Sequence, residues 1–352
     1  MALVNSVRVI LEDAEALQTE SVWNQRQIKE RWKYTRQNKV RDLLATLTPQ
    51  ASETAEAATT SKLATASKLA TALPTNLIAE DPAAALALQQ LGCVEEISLS
   101  QGEKYVLPDN GDFRALMINV EPGAVAQLDE VHTYLNDLAC LVFINVQENG
   151  ALIHSRNCFS STSQWHFLNV TLEKNSQYTL HNHASGGTLC RQDIIINLQG
   201  AGAHAELQGS AVVGQGLHLD QQIRLSHLAP DASSNQVFHT IAEDRAKVTF
   251  GGRIHIHPSC DGTDARLQNK NLALGDNVTI NTKPELEIYS EDVSCAHGAT
   301  VGQLDPAHEF YCTSRGIEPQ AARALLSQAF IGSATNGPLA AAAQLQYQSS
   351  AR

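Results

Sequence analysis

The sequence predicts a mainly β protein with helical segments near its two ends. Between residues 82 and 304, short strand-like segments recur about every ten residues, and Gly, Asn or Asp separate them. Aromatic residues make up only 5% of the chain, so the interior must be built largely from small and aliphatic side chains. The spacing is compatible with a sandwich, a barrel or a β-solenoid, and the short segments with tight turns favour the solenoid.

Two regions precede this β core. Residues 1–48 form a predicted N-terminal helical region because apolar residues recur at helical spacing. These residues include Val4, Val7, Ile10 and Leu11. Residues 49–81 are rich in Ala, Thr and Ser, and Ser61–Ala66 is nearly repeated at Ser67–Ala72. This composition can bury little surface, so we interpret residues 49–81 as a low-complexity linker.

Helical signals return after the β core, in a predicted C-terminal helical region at residues 305–335. Asp305 and Pro306 form an N-cap with proline at the first helical position. A second helix is predicted between Pro319 and Gly332, with an apolar stripe at i, i+3 and i+4 spacing. The stripe consists of Ala322, Leu325, Leu326, Ala329 and Phe330. Residues 336–352 are predicted to be a flexible tail.

Composition disfavours several classes of function. The chain carries 37 acidic and 25 basic residues, a net charge of −12, which disfavours binding to nucleic acid or to an anionic membrane. No apolar run is long enough to span a bilayer, and the N-terminus does not resemble a signal peptide. The seven cysteines include no CxxC pair, so we expect mostly buried, reduced thiols in a cytoplasmic protein.

The strongest chemical signal is a cysteine and a histidine two residues apart, Cys295 and His297. On a strand both side chains project from one face, about 7 Å apart along the chain. A thiolate and an imidazole suit iron, copper or zinc. Such metals take four ligands in most protein sites, so the remaining ligands must come from elsewhere in the fold or from a partner chain. Gly298 and Gly302 are predicted to end this strand segment.

Other candidate residues carry weaker signals. The pairs His181/His183 and His255/His257 have the His-x-His spacing of cupin metal sites, but no carboxylate follows either pair at the cupin spacing. A cupin-like mononuclear metal enzyme is therefore the alternative function. Cys312 is interpreted as a structural helix cysteine. The sequence contains no nucleophile motif and no nucleotide-binding motif, which argues against ATP hydrolysis by this chain.

The run Asn281–Ile317 resembles the SufB/SufD family of the SUF iron–sulfur cluster assembly system. Weaker similarity continues upstream through Phe250–Ile254 and Gln268–Leu274. SufB has acidic residues on both sides of the equivalent histidine. This chain has Ala296 and Gly298 at those places, so the resemblance is to the SufD branch.

The resemblance implies a right-handed parallel β-helix core and a non-enzymatic scaffold role in the cytoplasm. It implies a heterodimer with SufB through the β-helix and docking of the SufC ATPase on the C-terminal helices. Cys295 and His297 would then hold iron or a transient iron–sulfur cluster at the SufB interface, with no nucleotide bound by this chain. A purely structural subunit, in which Cys295 and His297 have no role, is a further alternative.

Overall fold

The computed structural model describes residues 94–107, 114–132, 137–159 and 162–334, together with the single residues Leu43 and Ala84. Apart from those two residues, the predicted N-terminal helical region and the linker lie outside the described residues. The predicted tail, residues 336–352, also lies outside them. No helix in the described part of the chain is long and apolar enough to cross a membrane.

Sixteen strands and two helices follow one another in the described residues. The strands are β1 (Glu95–Leu99), β2 (Lys104–Leu107), β3 (Arg114–Val120), β4 (Val125–His132), β5 (Leu138–Val146), β6 (Ala151–Cys158), β7 (Ser163–Leu172), β8 (Gln177–Ala184), β9 (Leu189–Leu198), β10 (His204–Val213), β11 (His218–His227), β12 (Ser233–Ala242), β13 (Lys247–Ile256), β14 (Thr263–Ala273), β15 (Thr279–Ile288) and β16 (Val293–Gln303). The helices are α1 (Pro306–Ser314) and α2 (Pro319–Gly332).

The strands form two 8-stranded parallel sheets, with the odd-numbered strands in the first sheet and the even-numbered strands in the second. Each strand therefore pairs with the strand two positions along the chain, and one coil of the chain contributes one strand to each sheet. This arrangement is a parallel β-solenoid, which confirms the predicted mainly β, β-helix fold class.

The core consists of aligned columns of apolar side chains. In the first sheet, Val120, Val146, Leu172 and Leu198 occupy equivalent register positions in successive odd-numbered strands, and all four are fully buried. Alternate residues of a strand point to opposite faces, so every second residue enters this interior. Each coil thus buries its apolar residues against the coils before and after it, and interior coils need neighbours on both sides.

Left-handed turn residues close the coils. Asn149 and Asn175 lie at equivalent corners with φ angles of 59° and 54°, and the Asn175 side-chain amide donates to Asn149 Oδ1 at 3.2 Å. Asparagine tolerates this backbone region better than most residues, and glycine adopts it freely. The turn residues seen between the predicted strands therefore mark the corners of successive coils.

The two C-terminal helices pack beside the coils. Asp305 caps α1 by accepting from the Ala307 amide at 2.8 Å, and proline begins both helices, as predicted. The α2 residue Phe330 stacks on His239 of β12, with ring centroids 5.0 Å apart. Ile331 is buried with residues of the outer face of the second sheet. The described helices therefore lie against the side of the second sheet and leave the end of the β-helix uncovered.

Candidate metal-ligating site at the end of the β-helix

The Cys295 and His297 pair lies on β16, the last strand of the second sheet. In the β14–β16 ladder, Cys295 stands opposite Ala265 and His297 stands opposite Leu267. Ala265 and Leu267 are buried members of the β-helix core. Because paired residues of parallel strands point to the same side, Cys295 and His297 occupy inward-facing positions of the last coil.

These inward-facing positions are open because no further coil covers them. Strands β15 and β16 are the edge strands of the two sheets. Cys295 is partly buried against the core, whereas His297 is exposed. Along its outer edge, β16 pairs with no other strand in the described part of the chain, so its backbone groups there are free to accept another strand.

The prediction that Gly298 and Gly302 end the strand is wrong. Strand β16 continues to Gln303, and both glycines stay in register with β14. Ladder hydrogen bonds to β14 hold these glycines in the strand although they have no side chains to pack. A Cβ atom added at either position would meet no other atom within 4 Å. Glycine in a strand interior often marks a place where another backbone approaches closely, and here there is room for one.

Burial raises the pKa of the Cys295 thiol, with a backbone hydrogen bond from Ala265 acting in the opposite direction. The thiol is therefore protonated at neutral pH, and a bound metal ion is needed to stabilise the thiolate. Among the described residues, neither Cys295 nor His297 belongs to a group of three or more metal-ligating side chains. The ligand role of the two residues stays a prediction, and the set that this coil offers is incomplete.

The His-x-His pairs lie on the outside of the β-helix. His183 is buried beside Phe159, and its Nδ1 lies 2.8 Å from Ser210 Oγ. The rings of His255 and His257 are 4.0 Å apart at the surface. In the described ranges, neither pair is joined by a third side chain to make a metal-ligating group. The cupin-like alternative therefore lacks the ligand set that it requires.

The helices α1 and α2 present an apolar surface, which we call the helix surface and define by Phe310, Tyr311 and Leu325. Their exposed fractions are 72%, 58% and 50%. The predicted apolar stripe of α2 only partly faces the core, since Leu325 and Ala329 are exposed, while Ile331 outside the stripe is buried. Cys312 is buried, in keeping with a structural role. Clustered exposed apolar side chains are typical of protein–protein contact sites.

Sequence reasoning missed a second cysteine–histidine group, inside the β-helix. His132 of β4, Cys158 of β6 and His166 of β7 are fully buried, and one potential ligand atom of each lies within 4.8 Å of the others. The signal in the sequence that could have found it was the recurrence of polar residues at every second position near the ends of these strands. We call these three residues the lumen group.

Comparison with known proteins shows which family the chain resembles. A family model described as "SUF system FeS cluster assembly, SufBD core domain" matches residues 102–330. The chain is 31% identical to the iron–sulfur cluster assembly protein SufD of Escherichia coli K12 over 224 residues, which are 62% of this chain and 53% of that protein. It is also 31% identical to a SufBD family protein of Synechocystis over 203 residues, 56% of this chain and 44% of that protein.

Similarity to SufB covers less of the chain. The chain is 31% identical to SufB of Bacillus subtilis over 134 residues, 38% of this chain and 29% of that protein. The matched region spans about half, or less, of each of these relatives.

Proposed function

The chain belongs to the SufBD core family of the SUF system, and from this membership we propose that it is a SufD-like, non-enzymatic scaffold subunit for iron–sulfur cluster assembly. The observation that carries the proposal is the position of Cys295 and His297 at inward-facing places on the uncovered last coil. Two ligands at an open strand edge suit a site that a second chain completes.

The proposed partner at this end is SufB. Strands β15 and β16 expose the edges of both sheets, and an exposed edge strand can pair with a strand of another chain. Pairing there would bring partner side chains next to Cys295 and His297. The cargo, iron or a nascent iron–sulfur cluster, would be held by ligands from both chains and could be passed on because neither chain holds it alone.

The proposed partner at the helix surface is the SufC ATPase. Phe310, Tyr311 and Leu325 supply an apolar patch on two capped helices that are anchored to the second sheet. The sequence of this chain contains no nucleotide-binding motif. ATP would therefore act through SufC, whose conformational change would be transmitted through α1 and α2 to the adjoining edge of the β-helix.

Co-expression with cognate SufB and SufC, followed by anaerobic cluster reconstitution, tests this proposal. We expect a ternary complex whose cluster yield falls at least about tenfold in Cys295→Ala or His297→Ala, an amount typical of losing one ligand or its support. Ser294→Ala is the matched control because Ser294 lies on the same strand and points to the opposite face. Unchanged yield in both variants would leave a purely structural subunit, and failure to form any complex would overturn the scaffold proposal.

The helix surface needs its own variant. Phe310→Ser should reduce capture of SufC while leaving capture of SufB unchanged, because Phe310 contributes an exposed ring on α1. Val106→Ser is the matched control, since Val106 is an exposed apolar residue on β2 near the opposite end of the β-helix. Equal capture of SufC by the Phe310 and Val106 variants would exclude this surface as the docking site.

A further inference from the structure

The interior of the β-helix carries charged side chains over one stretch of its length. At inward-facing positions, β4 carries Glu130 and His132, and β6 carries Arg156 and Cys158. Strand β7 of the facing sheet carries His166 at such a position. All five residues are almost completely buried. Buried charged groups are costly, and a stretch of this kind calls for a specific role.

The lumen group brings three potential metal ligands together, two imidazoles and one thiol. His132 and Cys158 are direct partners in the β4–β6 ladder, and His166 faces them from the other sheet. The His132 and His166 rings are 4.7 Å apart between centroids. In a four-coordinate zinc site, ligand atoms lie about 3.5 Å apart, since metal–ligand distances are about 2.0–2.3 Å. Ligand atoms within 4.8 Å of one another therefore need only a small side-chain adjustment to close on an ion.

Neighbouring side chains hold both imidazoles in place. His132 Nε2 lies 3.1 Å from Glu130 Oε2, and His166 Nε2 lies 3.0 Å from Gln164 Oε1. Histidines that ligate metals usually contact a carboxylate or carbonyl oxygen through the other ring nitrogen, which fixes the tautomer and the ring orientation. Here such a contact is present on both histidines, through Nε2 of each ring.

The carboxylate that orients His132 is itself fixed. Arg156 Nε donates to Glu130 Oε2 at 2.8 Å, and His154 Nε2 lies 3.0 Å from Glu130 Oε1. Both carboxylate oxygens of Glu130 are thus held by other side chains, and Oε2 faces the imidazole of His132.

One atom of the group has no explanation in the protein alone. His166 Nδ1 is buried and makes no hydrogen bond in the described part of the chain. Leaving a buried polar atom without a partner destabilises the folded state. A buried imidazole nitrogen without a hydrogen-bond partner is available to bind a metal ion.

We propose that His132, Cys158 and His166 bind one divalent transition-metal ion, ferrous iron or zinc, inside the β-helix, with Glu130 and Gln164 as positioning residues. One thiolate and two imidazoles suit iron and zinc, whereas magnesium and calcium prefer oxygen ligands. Binding releases the proton of the Cys158 thiol to solvent, because the thiolate is the form that ligates a metal ion. This site is several coils away from Cys295 and does not depend on the proposed scaffold function.

Metal content of the full chain tests the proposal. The chain is purified without oxygen, stripped with a chelator, reloaded with Fe²⁺ or Zn²⁺ in separate samples, desalted and analysed by elemental mass spectrometry. All samples carry Cys295→Ala and His297→Ala, which removes the exposed pair from the count. We expect about one ion per chain in this parent, as for a dedicated site. A sample that receives Fe²⁺ and Zn²⁺ together identifies the preferred metal by the ion that it retains.

Variants of the interior decide which residues hold the ion. Cys158→Ser and His166→Gln should weaken binding at least about 100-fold, since each removes a ligand rather than a supporting contact. Cys190→Ser is the matched control because Cys190 is also a buried, inward-facing cysteine but lies outside the lumen group. Co²⁺ loading provides a second readout, with a sulfur-to-cobalt charge-transfer band in the parent that Cys158→Ser abolishes.

Several outcomes would overturn the site. One is a folded parent that retains neither Fe²⁺ nor Zn²⁺. Another is an equal loss of metal binding in Cys190→Ser and Cys158→Ser. Cobalt binding without the charge-transfer band would exclude Cys158 as a ligand. If a variant fails to fold, thermal denaturation of the parent with and without Zn²⁺ serves as the test instead. We expect Zn²⁺ to raise the melting temperature of the parent, because binding to the folded state alone stabilises it, and an unchanged temperature would count against the site.

Discussion

The β-helix places cysteine and histidine at inward-facing positions twice, and the two places differ in what surrounds them. The lumen group is enclosed by coils on both sides and fully buried. Cys295 and His297 lie at other register positions on the last coil, where Cys295 is partly exposed and His297 is exposed. The residue types are alike, so the place in the stack decides whether the ligands are enclosed or offered to a partner.

The charges near the two places differ in the same way. Glu130 and Arg156 form an ion pair in the closed interior, with no exposure of either side chain. At the open end, Lys283 Nζ and Glu285 Oε1 lie 2.8 Å apart, but the side chains are 46% and 42% exposed. The interior pair keeps two charges out of water and depends on its geometry, whereas water solvates both partners of the outer pair.

The largest expected effect comes from breaking the interior pair. Arg156→Ala leaves the Glu130 carboxylate buried without its main counter-charge, and we expect a loss of about 3–5 kcal/mol in the free energy of unfolding. Urea denaturation followed by circular dichroism measures this loss. Lys283→Ala is the comparison variant and should cost less than about 1 kcal/mol. Similar losses in both variants would contradict the contrast between the closed and open regions.

The next effect concerns thiol reactivity. Iodoacetamide should modify Cys295 at least about 100-fold faster than Cys158 in the folded, metal-free chain, because only exposed thiolate reacts. Burial raises the pKa of Cys158 to about 11, although Arg156 acts in the opposite direction. Mass spectrometry of peptides at several reaction times gives a rate for each cysteine. Comparable rates in the folded chain would show that the interior is open to solvent.

A smaller effect is the response to acid. Burial lowers the pKa of His227 to about 4, and the unfolded value is about 6.5. The unfolded chain therefore binds the proton first, so this residue's contribution is intact above pH 6.5 and is lost as pH falls toward 4. We expect a loss of about 2 kcal/mol from this residue between pH 7.5 and pH 5.

The variant His227→Gln isolates this contribution. It should show a smaller drop in unfolding free energy between pH 7.5 and pH 5 than the parent, measured by urea denaturation at both pH values. His308→Gln, which changes an exposed histidine of α1, serves as the control and should behave like the parent. Identical pH dependence of the unfolding free energy in the parent and the His227 variant would show that protonation of His227 does not cause this loss of stability.

The smallest effect is expected at the helix surface. Phe310→Ser should change the free energy of unfolding by less than about 0.5 kcal/mol, because the ring is already 72% exposed in the folded chain. Ile331→Ser, which changes a buried residue of α2, is the contrasting variant and should destabilise the packing of α2 on the second sheet. A large loss for Phe310→Ser would mean that the ring supports the fold rather than a docking surface.

The sequence was sufficient for the fold class and for the ends of the helices. Turn residues such as Asn149 and Asn175 correctly separated strands, and proline at the first position correctly marked both helices. Strand β4 shows no clear alternation in sequence, because polar Glu130 and His132 take inward positions and apolar Val125 and Val131 take outward positions.

The lumen group was missed for a related reason. His132, Cys158 and His166 lie on three strands, and their proximity follows from the register of β4 with β6 and from the facing of the two sheets. Spacing within one strand carries no information on register between coils. Cys295 and His297 were found because both lie on one strand, where a separation of two residues is enough to place them on one face.

Strand β15 contains a proline, Pro284, which pairs in register with Gly252 of β13. Proline has no backbone N–H, and edge strands tolerate it where the missing donor faces away from the neighbouring strand. The free edge of the first sheet therefore has a gap in its row of donors. Stacked parallel strands with unpaired edges can extend into amyloid-like filaments, which need a continuous ladder of backbone hydrogen bonds from one copy to the next. Pro284 interrupts that ladder in one sheet and thereby opposes the growth of this β-helix into a filament.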